Sequence, residues 1–267
     1  MSSSDLETNS SDLALPAKRR SDIVRLIKQL GQITVADMSA RFEVSVDTIR
    51  RDLDILAEQG LVSRTHGGAV PMENRATADT PLDFRINAQH SAKTSIGRTA
   101  ARLISPGETL VINGGSTTIA FASSLGELSR LTIVTNNLSL PAAVPPACVS
   151  GLYLLGGQIR SGAHTTLGAV GFVGTGKITA DTAVIGVGGI TPEGCSTSHI
   201  EEATMMAAMI AAARRTIIIA DSSKFGRLAF AMVTSLDRID VLVTDAEPPA
   251  ELRESLEAAG VKTIVAT

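Results

Sequence analysis

The chain has 267 residues, enough for one small module and one larger domain, and its 44% hydrophobic content is sufficient for a large core. Only 3% of the residues are aromatic and tryptophan is absent, so that core must be aliphatic. The formal net charge of −3, taken over the whole chain, argues against a nucleic-acid-binding protein. The charge is uneven, however: Lys18 to His66 hold nine basic and seven acidic residues, whereas the remainder holds 15 basic and 20 acidic residues. A slightly basic module therefore precedes an acidic body.

Other sequence features concern metals, cofactors and location. Cys148 and Cys195 have no metal-type spacing, which favours free thiols in a reducing compartment, and the histidines form no ligand pair. Met1–Pro16 is serine-rich without an apolar region, so we expect a disordered tail and no secretory signal. The most apolar run, Met205–Ala220, is interrupted by two arginines and predicts a helix and a strand rather than a membrane span. We expect a cytoplasmic protein without metal, cofactor or membrane partner.

The basic module begins with two predicted helices. The first covers Lys18–Leu30, has one apolar face, and ends at Gly31. The second covers Val35–Phe42, with Thr34 in the N-cap position. Short helices joined by tight turns are typical of a helix-turn-helix domain.

A third helix is predicted within V-S-V-D-T-I-R-R-D-L-D-I-L-A-E-Q-G, residues 44–60. Ile49, Leu53 and Leu56 form one apolar stripe, and Ser45 and Gly60 stand where a helix cap and a C-terminal glycine belong. The residues that face away from the stripe are Asp47, Thr48, Arg50, Arg51 and Asp54. A polar N-terminus with paired outward arginines suits insertion into a DNA major groove. The alternative is an ordinary amphipathic surface helix.

A predicted hairpin completes the module. Leu61–Arg64 is expected to be a strand, T-H-G-G a tight turn, and Ala69 and Val70 the return strand, which makes a winged helix-turn-helix. The wing would bring Arg64 and His66 to DNA phosphates, although His66 is also an ordinary turn residue. The predicted DNA-binding residues are Ser45, Asp47, Thr48, Arg50, Arg51, Arg64 and His66.

These motifs carry a family resemblance. I-x-x-L-x-x-x-G, V-S-V-D-T-I-R-R-D-L and L-V-S-R-T-H-G-G-A follow one another without a gap, and residues 20 to 70 resemble the N-terminal domain of the DeoR family of bacterial sugar-metabolism regulators. The resemblance implies a double-stranded operator DNA as partner. Met72–His90 follows as a polar connector, in which Arg85, together with Lys93 beyond it, is placed as in the family's link to a second domain. The alternative for these two residues is solvated charge.

Apolar β-branched runs and helical segments alternate after Ser91. The predicted strands are Thr109–Ile112, Thr132–Thr135, Leu152–Leu155, Thr182–Val187, Thr216–Ala220, Val241–Thr244 and Thr263–Val265. The predicted helices are Ser91–Ile104, Thr117–Leu125, Ile200–Arg214 and Pro249–Ala259. This alternation indicates an open, mostly parallel α/β sheet with both faces covered. The expected division is therefore a tail (1–16), a DNA-binding domain (17–71), a linker (72–90) and an effector-sensing α/β domain (91–267).

The strand ends contain the candidate ligand-binding residues. In L-V-I-N-G-G-S-T-T, residues 110–118, Gly114 and Gly115 would let the backbone approach an anion, and Ser116 and Thr117 offer hydroxyls at a helix N-terminus. This is neither a Walker nor a dinucleotide motif, and such turns also occur without a ligand.

Other strands end in the same manner, and in an open α/β sheet such ends meet at one crevice. Arg160 and Lys224 would supply positive charge to a phosphate there. The alternative for Lys224 is a structural ion pair with Asp221.

Residues 91 to 245 resemble the sensor domain of the DeoR family. That resemblance implies a fold related to ribose-5-phosphate isomerase and the binding of phosphorylated sugars or polyols. The positions that match the family's motifs are Gly115, Ser116, Thr117, Thr135, Asn136, Gly156, Gly157, Arg160, Glu202, Asp221, Ser223, Lys224 and Gly226. The predicted effector-binding residues are Asn113, Gly114, Gly115, Ser116, Thr117, Thr135, Asn136, Arg160, Glu202 and Lys224. Asn113 and Met206 depart from the family pattern, which usually has aspartate and often lysine there, and this puts the usual effector in doubt.

The sequence therefore predicts a homo-oligomeric DNA-binding regulator, a dimer or tetramer. It would repress a carbohydrate or polyol catabolic operon and respond to a phosphorylated sugar or polyol. T-N-N-L and T-D-A-E-P-P resemble the glycerol-3-phosphate branch of the family. One alternative is a sensor domain that has lost its ligand. Another is a sugar-phosphate isomerase with an accessory DNA-binding domain, in which Glu202 and Asp221 are the candidate general bases.

Overall fold

The computed structural model of the protein describes residues 11–30, 33–58, 61–65, 67–71, 82–170 and 178–267. The chain divides into two compact units, Met1–Arg75 and Ala76–Thr267. Each unit has its own hydrophobic core, and each is described separately below.

The first unit has three helices and three short strands. In chain order they are α1 (Ser11–Leu30), β1 (Ile33–Thr34), α2 (Val35–Phe42), α3 (Val46–Glu58), β2 (Val62–Thr65) and β3 (Gly68–Pro71). The strands form an antiparallel sheet in the order β1-β3-β2. This arrangement is the winged helix-turn-helix predicted from the sequence, with β1 as an unpredicted third strand. Gly68 is required in β3, because a Cβ there would lie 2.1 Å from the carbonyl oxygen of Ile33.

The predicted apolar stripe of α3 forms the centre of this core. Ile49, Leu53 and Leu56 are all buried, and they pack with apolar residues of α1 and α2. The predicted caps are present as well: the Thr34 hydroxyl accepts a hydrogen bond from the Asp37 amide at 3.1 Å, and the Ser45 hydroxyl accepts one from the Thr48 amide at 3.2 Å. Hydrophobic periodicity and capping thus give the same helix boundaries here.

One predicted boundary of this unit differs in the structure. Helix α1 begins at Ser11, with Pro16 inside it, so residues 11–16 are helical where a disordered tail was expected. Three predicted features, the terminating glycines Gly31 and Gly60 and the wing residue His66, lie outside the described residues.

The second unit alternates strands and helices. Its helices are α4 (Leu82–Asn87), α5 (His90–Ala101), α6 (Ser116–Ser123), α7 (Leu140–Ala143), α8 (Ile200–Ala211) and α9 (Ala250–Ala258). Its strands are β4 (Thr109–Ile112), β5 (Leu131–Thr135), β6 (Val149–Leu154), β7 (Gln158–Arg160), β8 (Thr165–Leu167), β9 (Ala180–Gly186), β10 (Gly189–Thr191), β11 (Gly194–Thr197), β12 (Ala213–Ile219), β13 (Ala231–Thr234), β14 (Val241–Thr244) and β15 (Lys262–Val265).

A seven-stranded sheet organises this unit. Its order is β15-β14-β12-β9-β4-β5-β6, and every neighbouring pair is parallel. The seven members are the seven strands predicted from the sequence. Two separate clusters of buried aliphatic side chains contain different residues of the sheet, as expected for a parallel sheet covered on both faces. The predicted fold class is confirmed.

The departures from prediction concern short or marginal segments. Strand β12 begins at Ala213, so Arg214 belongs to a strand and not to the preceding helix. The predicted linker contains a helix, α4, whose Leu82 is buried and which contacts α6. Two small antiparallel sheets, β10-β11-β13 and β7-β8, were not predicted, because their strands are short and lack long apolar runs.

Among the residues that the structure describes, no helix has the length and apolar character that crossing a bilayer requires.

Candidate functional site

The outer face of α3 presents charged side chains to solvent. Arg50 is exposed and forms a salt bridge with Asp47 at 3.3 Å, one turn earlier on the same helix. Arg51 is also exposed, and within the described part of the chain it makes no salt bridge or hydrogen bond. Arg64, on the wing strand β2, is paired with Asp54 of α3. Arg50 and Arg64 are therefore each positioned by a carboxylate, whereas Arg51 is available to an anionic partner.

The remaining predicted residues at this helix have local roles. The hydroxyls of Ser45 and Thr48 lie 2.9 Å apart, so both belong to the helix N-terminus. Asp47 lies in the first turn, where a carboxylate stabilises the helix dipole.

Asp52 is a structural residue of this unit that the sequence interpretation missed. Its carboxylate is 5% exposed and accepts a hydrogen bond from Nε of Arg19 at 2.6 Å, and Nε of Arg20 lies 3.9 Å away. The contact joins α1 to α3. Within T-I-R-R-D-L, the helical period places Asp52 beside the buried apolar stripe, and this position could have identified it as a buried residue from the sequence.

In the second unit, the turn between β4 and α6 is built largely by internal hydrogen bonds. The Asn113 side chain donates to the Gly186 carbonyl and accepts from the Gly186 amide, both at 2.8 Å, and so ties the end of β4 to the end of β9. The Thr135 hydroxyl donates to the Ile112 carbonyl at 2.7 Å and accepts from the Asn137 amide at 3.0 Å. Asn113 and Thr135, both predicted to bind effector, are therefore engaged in holding strands together.

Gly114 is required here by packing. A Cβ at this position would lie 1.9 Å from the Cγ2 methyl of Thr165, so the missing side chain makes room for strand β8. The Gly115 site is less crowded, since a Cβ would meet only the Thr118 hydroxyl at 3.4 Å. The sequence interpretation had assigned both glycines to a close approach of an anion.

The first turn of α6 remains suited to a ligand. Ser116 and Thr117 are 9% and 8% exposed, and neither hydroxyl forms a hydrogen bond with any residue that the structure describes. The N-cap, Gly115, supplies no side-chain cap. Hydroxyls and amide groups at a helix N-terminus together attract an anion.

Arg160 and Glu202 meet at the edge of the crevice. Arg160, the last residue of β7, forms a salt bridge with Glu202 in the first turn of α8, and both side chains are mostly buried. The second carboxylate oxygen of Glu202 accepts a hydrogen bond from the Thr197 hydroxyl at 2.9 Å. Two predicted effector residues that are 42 positions apart are thus in direct contact.

Lys224 lies beyond the end of β12, close to Asp221. The Asp221 carboxylate accepts hydrogen bonds from the amide and hydroxyl of Ser223, and no salt bridge joins it to Lys224 among the described residues. Burial lowers the pKa of Lys224, and the negative charge of Asp221 offsets this lowering only in part. The structure therefore does not contain the alternative, a salt bridge between Lys224 and Asp221.

Lys93 and Arg85 are the basic residues that the list of predicted effector residues omitted. Lys93 is 5% exposed, and its ammonium donates to the carbonyl oxygens of Arg85 and of Ala88, the latter at 2.6 Å. Burial lowers the Lys93 pKa to about 8, an effect that Asp221 opposes and that the positive charges of Lys224 and Arg85 increase. Lys93 is not a solvated surface charge.

Arg85 is half-buried and belongs to the same cluster. Burial lowers the pKa of Arg85, and the nearby Glu202 carboxylate opposes this effect. The Nε atom of Arg85 is buried and has no hydrogen-bond partner in the described part of the chain. Five cationic groups thus share this region with two carboxylates. The cationic members are Arg85, Lys93, Arg160, Lys224 and Arg227, and the acidic members are Glu202 and Asp221.

Comparison with known proteins connects both units to one family. The DeoR-like helix-turn-helix domain matches residues 19–75, and the DeoR C-terminal sensor domain matches residues 88–246. The chain is 34% identical to the glycerol-3-phosphate regulon repressor of Escherichia coli K12, over 90% of this chain and 94% of that protein. It is 32% identical to the HTH-type transcriptional repressor GlcR of Bacillus subtilis strain 168, over 91% of this chain and 93% of that protein.

Among solved structures, a ribose-5-phosphate isomerase in complex with phospho-erythronic acid is similar to part of the chain. It covers 51% of this chain and 54% of its own, with 17% identity and a TM-score of 0.38.

Proposed function

The chain belongs to the DeoR family of DNA-binding transcriptional regulators, and on that premise we propose that its second unit binds a phosphorylated sugar or polyol at the cationic cluster. The protein is a regulator and not an enzyme, since its relatives are repressors with the same two domains. The observation that supports the ligand site is the excess of positive charge among partly or fully buried side chains, five cations against two carboxylates.

This charge excess matches a phosphate monoester. Such a group carries about −1.5 to −2 charges at neutral pH and three strong acceptor oxygens. Buried cations without salt-bridge partners are costly, and Lys93 and Lys224 show that cost as lowered pKa values. A phosphate bound between the two lysines would offset the free-energy cost of burying their charges.

The hydroxyls of Ser116 and Thr117 extend the site to the α6 N-terminus. A helix N-terminus alone contributes about 0.3–1 kcal/mol to an exposed anion, whereas a hydrogen bond to a charged group contributes about 1.5–3 kcal/mol. Lys224 and Lys93 therefore supply most of the affinity in this proposal, and the α6 turn orients the phosphate. Asn113 and Thr135 support the site through the strand ends that they join.

The proposed output is release of operator DNA when the metabolite binds. Two relatives carry the names of a regulon repressor and a transcriptional repressor, which supports repression as the mode of action of this chain. We assign the DNA contacts to Arg50, Arg51 and Arg64, and we place the protein in the cytoplasm, where operator DNA is available. The name of the glycerol-3-phosphate regulon repressor supports a carbohydrate or polyol operon as the target.

Lys224→Met tests the ligand site. We expect the variant to fold with unchanged or higher thermal stability, because the substitution removes a buried cation that has no salt bridge. It should hold operator DNA and no longer release it when phosphorylated sugars and polyols are added. Lys262→Met, at an exposed lysine of β15, is the matched control and should respond normally.

Thermal shift with the same compounds supplies the binding measurement. A ligand at a hundredfold excess over its Kd adds about 2.7 kcal/mol to the free energy of unfolding. A Lys224→Met protein that is stable and still fully inducible contradicts the assignment of this lysine. If no phosphorylated compound shifts the wild-type protein, the sensor has lost its ligand.

We also propose that the protein acts as a symmetric homo-oligomer, a dimer or a tetramer. A single winged helix makes few base contacts, and helix-turn-helix regulators reach selectivity by binding two half-sites. Light scattering at working concentration measures the assembly. A monomer that binds a single half-site tightly is the contrary result.

A further inference from the structure

A row of large apolar side chains is exposed beside the small sheet β10-β11-β13. Leu228, Phe230 and Met232 occupy alternate positions and are 62%, 64% and 46% exposed. Ala231 and Val233, on either side of Met232, are buried and belong to a hydrophobic core of the second unit. The three exposed residues form the apolar row. Contiguous apolar surface on a soluble protein marks an interaction site more often than scattered single residues do.

The backbone that carries the apolar row is held in place by hydrogen bonds. The Gly226 amide donates to the Ile190 carbonyl at 2.9 Å, and the Ala229 amide donates to the Ser196 hydroxyl at 2.9 Å. Met232 lies opposite Ser196 in the pairing of β11 with β13. A surface that is already ordered loses little conformational entropy when it binds, so the row is suited to a stable contact.

The apolar row leads into a strand at an open sheet edge. Strand β13 pairs with β11 on one side, and no strand of the described residues pairs with its other side. Native proteins commonly protect such edges with charged residues or proline, whereas Leu228–Leu236 contains neither. Because this segment has no charge, two copies of it can face each other without like-charge repulsion.

The exposed area fits a second copy of the same chain. Large apolar side chains have accessible areas of about 150–250 Å², so the exposed parts of the apolar row amount to about 350 Å² per copy. A standard protein interface buries about 800 Å² per partner, of which about 450 Å² is non-polar. Two copies that pack these rows together would therefore bury most of the apolar area that a stable dimer needs.

We propose that the apolar row is a dimerisation surface, on which a second copy of this chain packs its own apolar row about a two-fold axis. Such an interface uses the same surface from both copies, so Phe230, the middle residue, faces Phe230 of the second copy, and Leu228 faces Met232 of the second copy. The proposal rests on the proposed homo-oligomer and names the surface that forms it.

The first experiment measures the assembly of the full chain by light scattering over a dilution series. Phe230→Glu should raise the dissociation constant at this interface roughly hundredfold or more, because it places two carboxylates at the centre of an apolar contact. Phe230 is exposed in a single copy, so the variant should keep the circular dichroism spectrum of the wild type. Ile159→Glu, at a 60% exposed residue of β7, is the matched control and should assemble as the wild type does.

The second experiment locates the contact by cross-linking. Both native cysteines, Cys148 and Cys195, are buried, so Phe230→Cys introduces an exposed thiol that is distinct from them. A disulfide requires two Cα atoms about 4.4–6.8 Å apart, which residues that face each other across a two-fold axis can reach. Under mild oxidation, Phe230→Cys should run as a cross-linked dimer on a non-reducing gel at a protein concentration where Ile159→Cys runs as a single chain.

The outcomes separate this proposal from the proposed homo-oligomer. A monomeric wild-type chain overturns both. A wild-type oligomer in which Phe230→Glu still assembles and Phe230→Cys forms no cross-link overturns the apolar row alone, as does an assembly that only Ile159→Glu dissociates. If Phe230→Glu does not fold, the cross-linking experiment decides. The phosphate site is tested separately by operator release and thermal shift, so neither failure affects it.

Discussion

Helix α3, which we propose contacts DNA, and the cationic cluster differ in the environment of their charges. The predicted DNA-contacting residues of α3 lie within 13 consecutive residues, and its two arginines are exposed: Arg50 is paired with Asp47 one turn earlier, and Arg51 has no salt bridge among the described residues. The cluster collects its cations from positions between Arg85 and Arg227, and they are partly or fully buried beside only two carboxylates. The proposed DNA-contacting surface lies mainly in one helix and the neighbouring wing strand, whereas the cationic cluster exists only in the folded domain.

The two regions differ in how their charged side chains contribute to the free energy of folding. Exposed charges on α3 contribute little to stability, so their removal affects DNA binding alone. The ammonium of Lys224 is desolvated and has no salt bridge among the described residues, so its removal should weaken ligand binding without lowering the stability of the ligand-free protein.

The largest expected effect is on operator binding. Arg51→Ala should weaken binding by about 1–3 kcal/mol, roughly 5- to 150-fold, and the double substitution with Arg50→Ala should weaken it further. The melting temperature should stay the same, because both side chains are exposed. Gel-shift titration at fixed salt measures the effect, with Arg25→Ala on α1 as control. An unchanged affinity of the double variant contradicts the placement of α3 in the groove.

The next prediction concerns protein stability and compares a buried with an exposed carboxylate of the first unit. Asp52→Ala should lower the free energy of unfolding by about 1.5–3 kcal/mol, because it removes a buried acceptor of the Arg19 guanidinium. Asp54→Ala removes an exposed partner of Arg64 and should cost less than about 1 kcal/mol. Thermal unfolding of the two variants tests the difference. Equal losses of unfolding free energy in the two variants would contradict the prediction that the buried Asp52 carboxylate contributes more to stability than the exposed Asp54 carboxylate.

The smallest effect is on the pH dependence of ligand binding. The Lys93 pKa is lowered from 10.5 to about 8, and a bound phosphate should raise it, so binding takes up a proton above pH 8. Affinity should therefore fall as pH rises above 8, by up to about tenfold per pH unit. The phosphate itself does not titrate there, since its second pKa is near 6.

The stability of the ligand-free protein should change in the other direction. Between pH 8 and 10.5 the unfolded chain binds the Lys93 proton and the folded chain does not, so the contribution of this group to the free energy of unfolding rises with pH. Lys93→Met should flatten this part of both profiles. Calorimetric titrations and thermal melts from pH 7.5 to about 9.5 measure them, and an affinity that rises with pH is the contrary outcome.

Local sequence determined the elements of both units. The spacing of Ile49, Leu53 and Leu56 fixed the buried face of α3, and the caps at Thr34 and Ser45 fixed where helices begin. The seven strands of the parallel sheet were found because each contains a short apolar run, which in the five central strands is largely buried and in the edge strands β6 and β15 is partly exposed. These signals depend on residues a few positions apart, so one sequence suffices to read them.

The tertiary structure decided which polar residues are available to a ligand. Asn113 was predicted to bind the effector at a strand end, and in the structure its side-chain amide is hydrogen-bonded to the backbone of Gly186, 73 positions away. For Lys93 the sequence left open a role in the family's link to the second domain or a solvated charge, and the fold buries it within reach of the Asp221 charge. A hydrogen bond or a desolvation depends on neighbours that only the folded chain brings together, and hydrophobic periodicity carries no information about them.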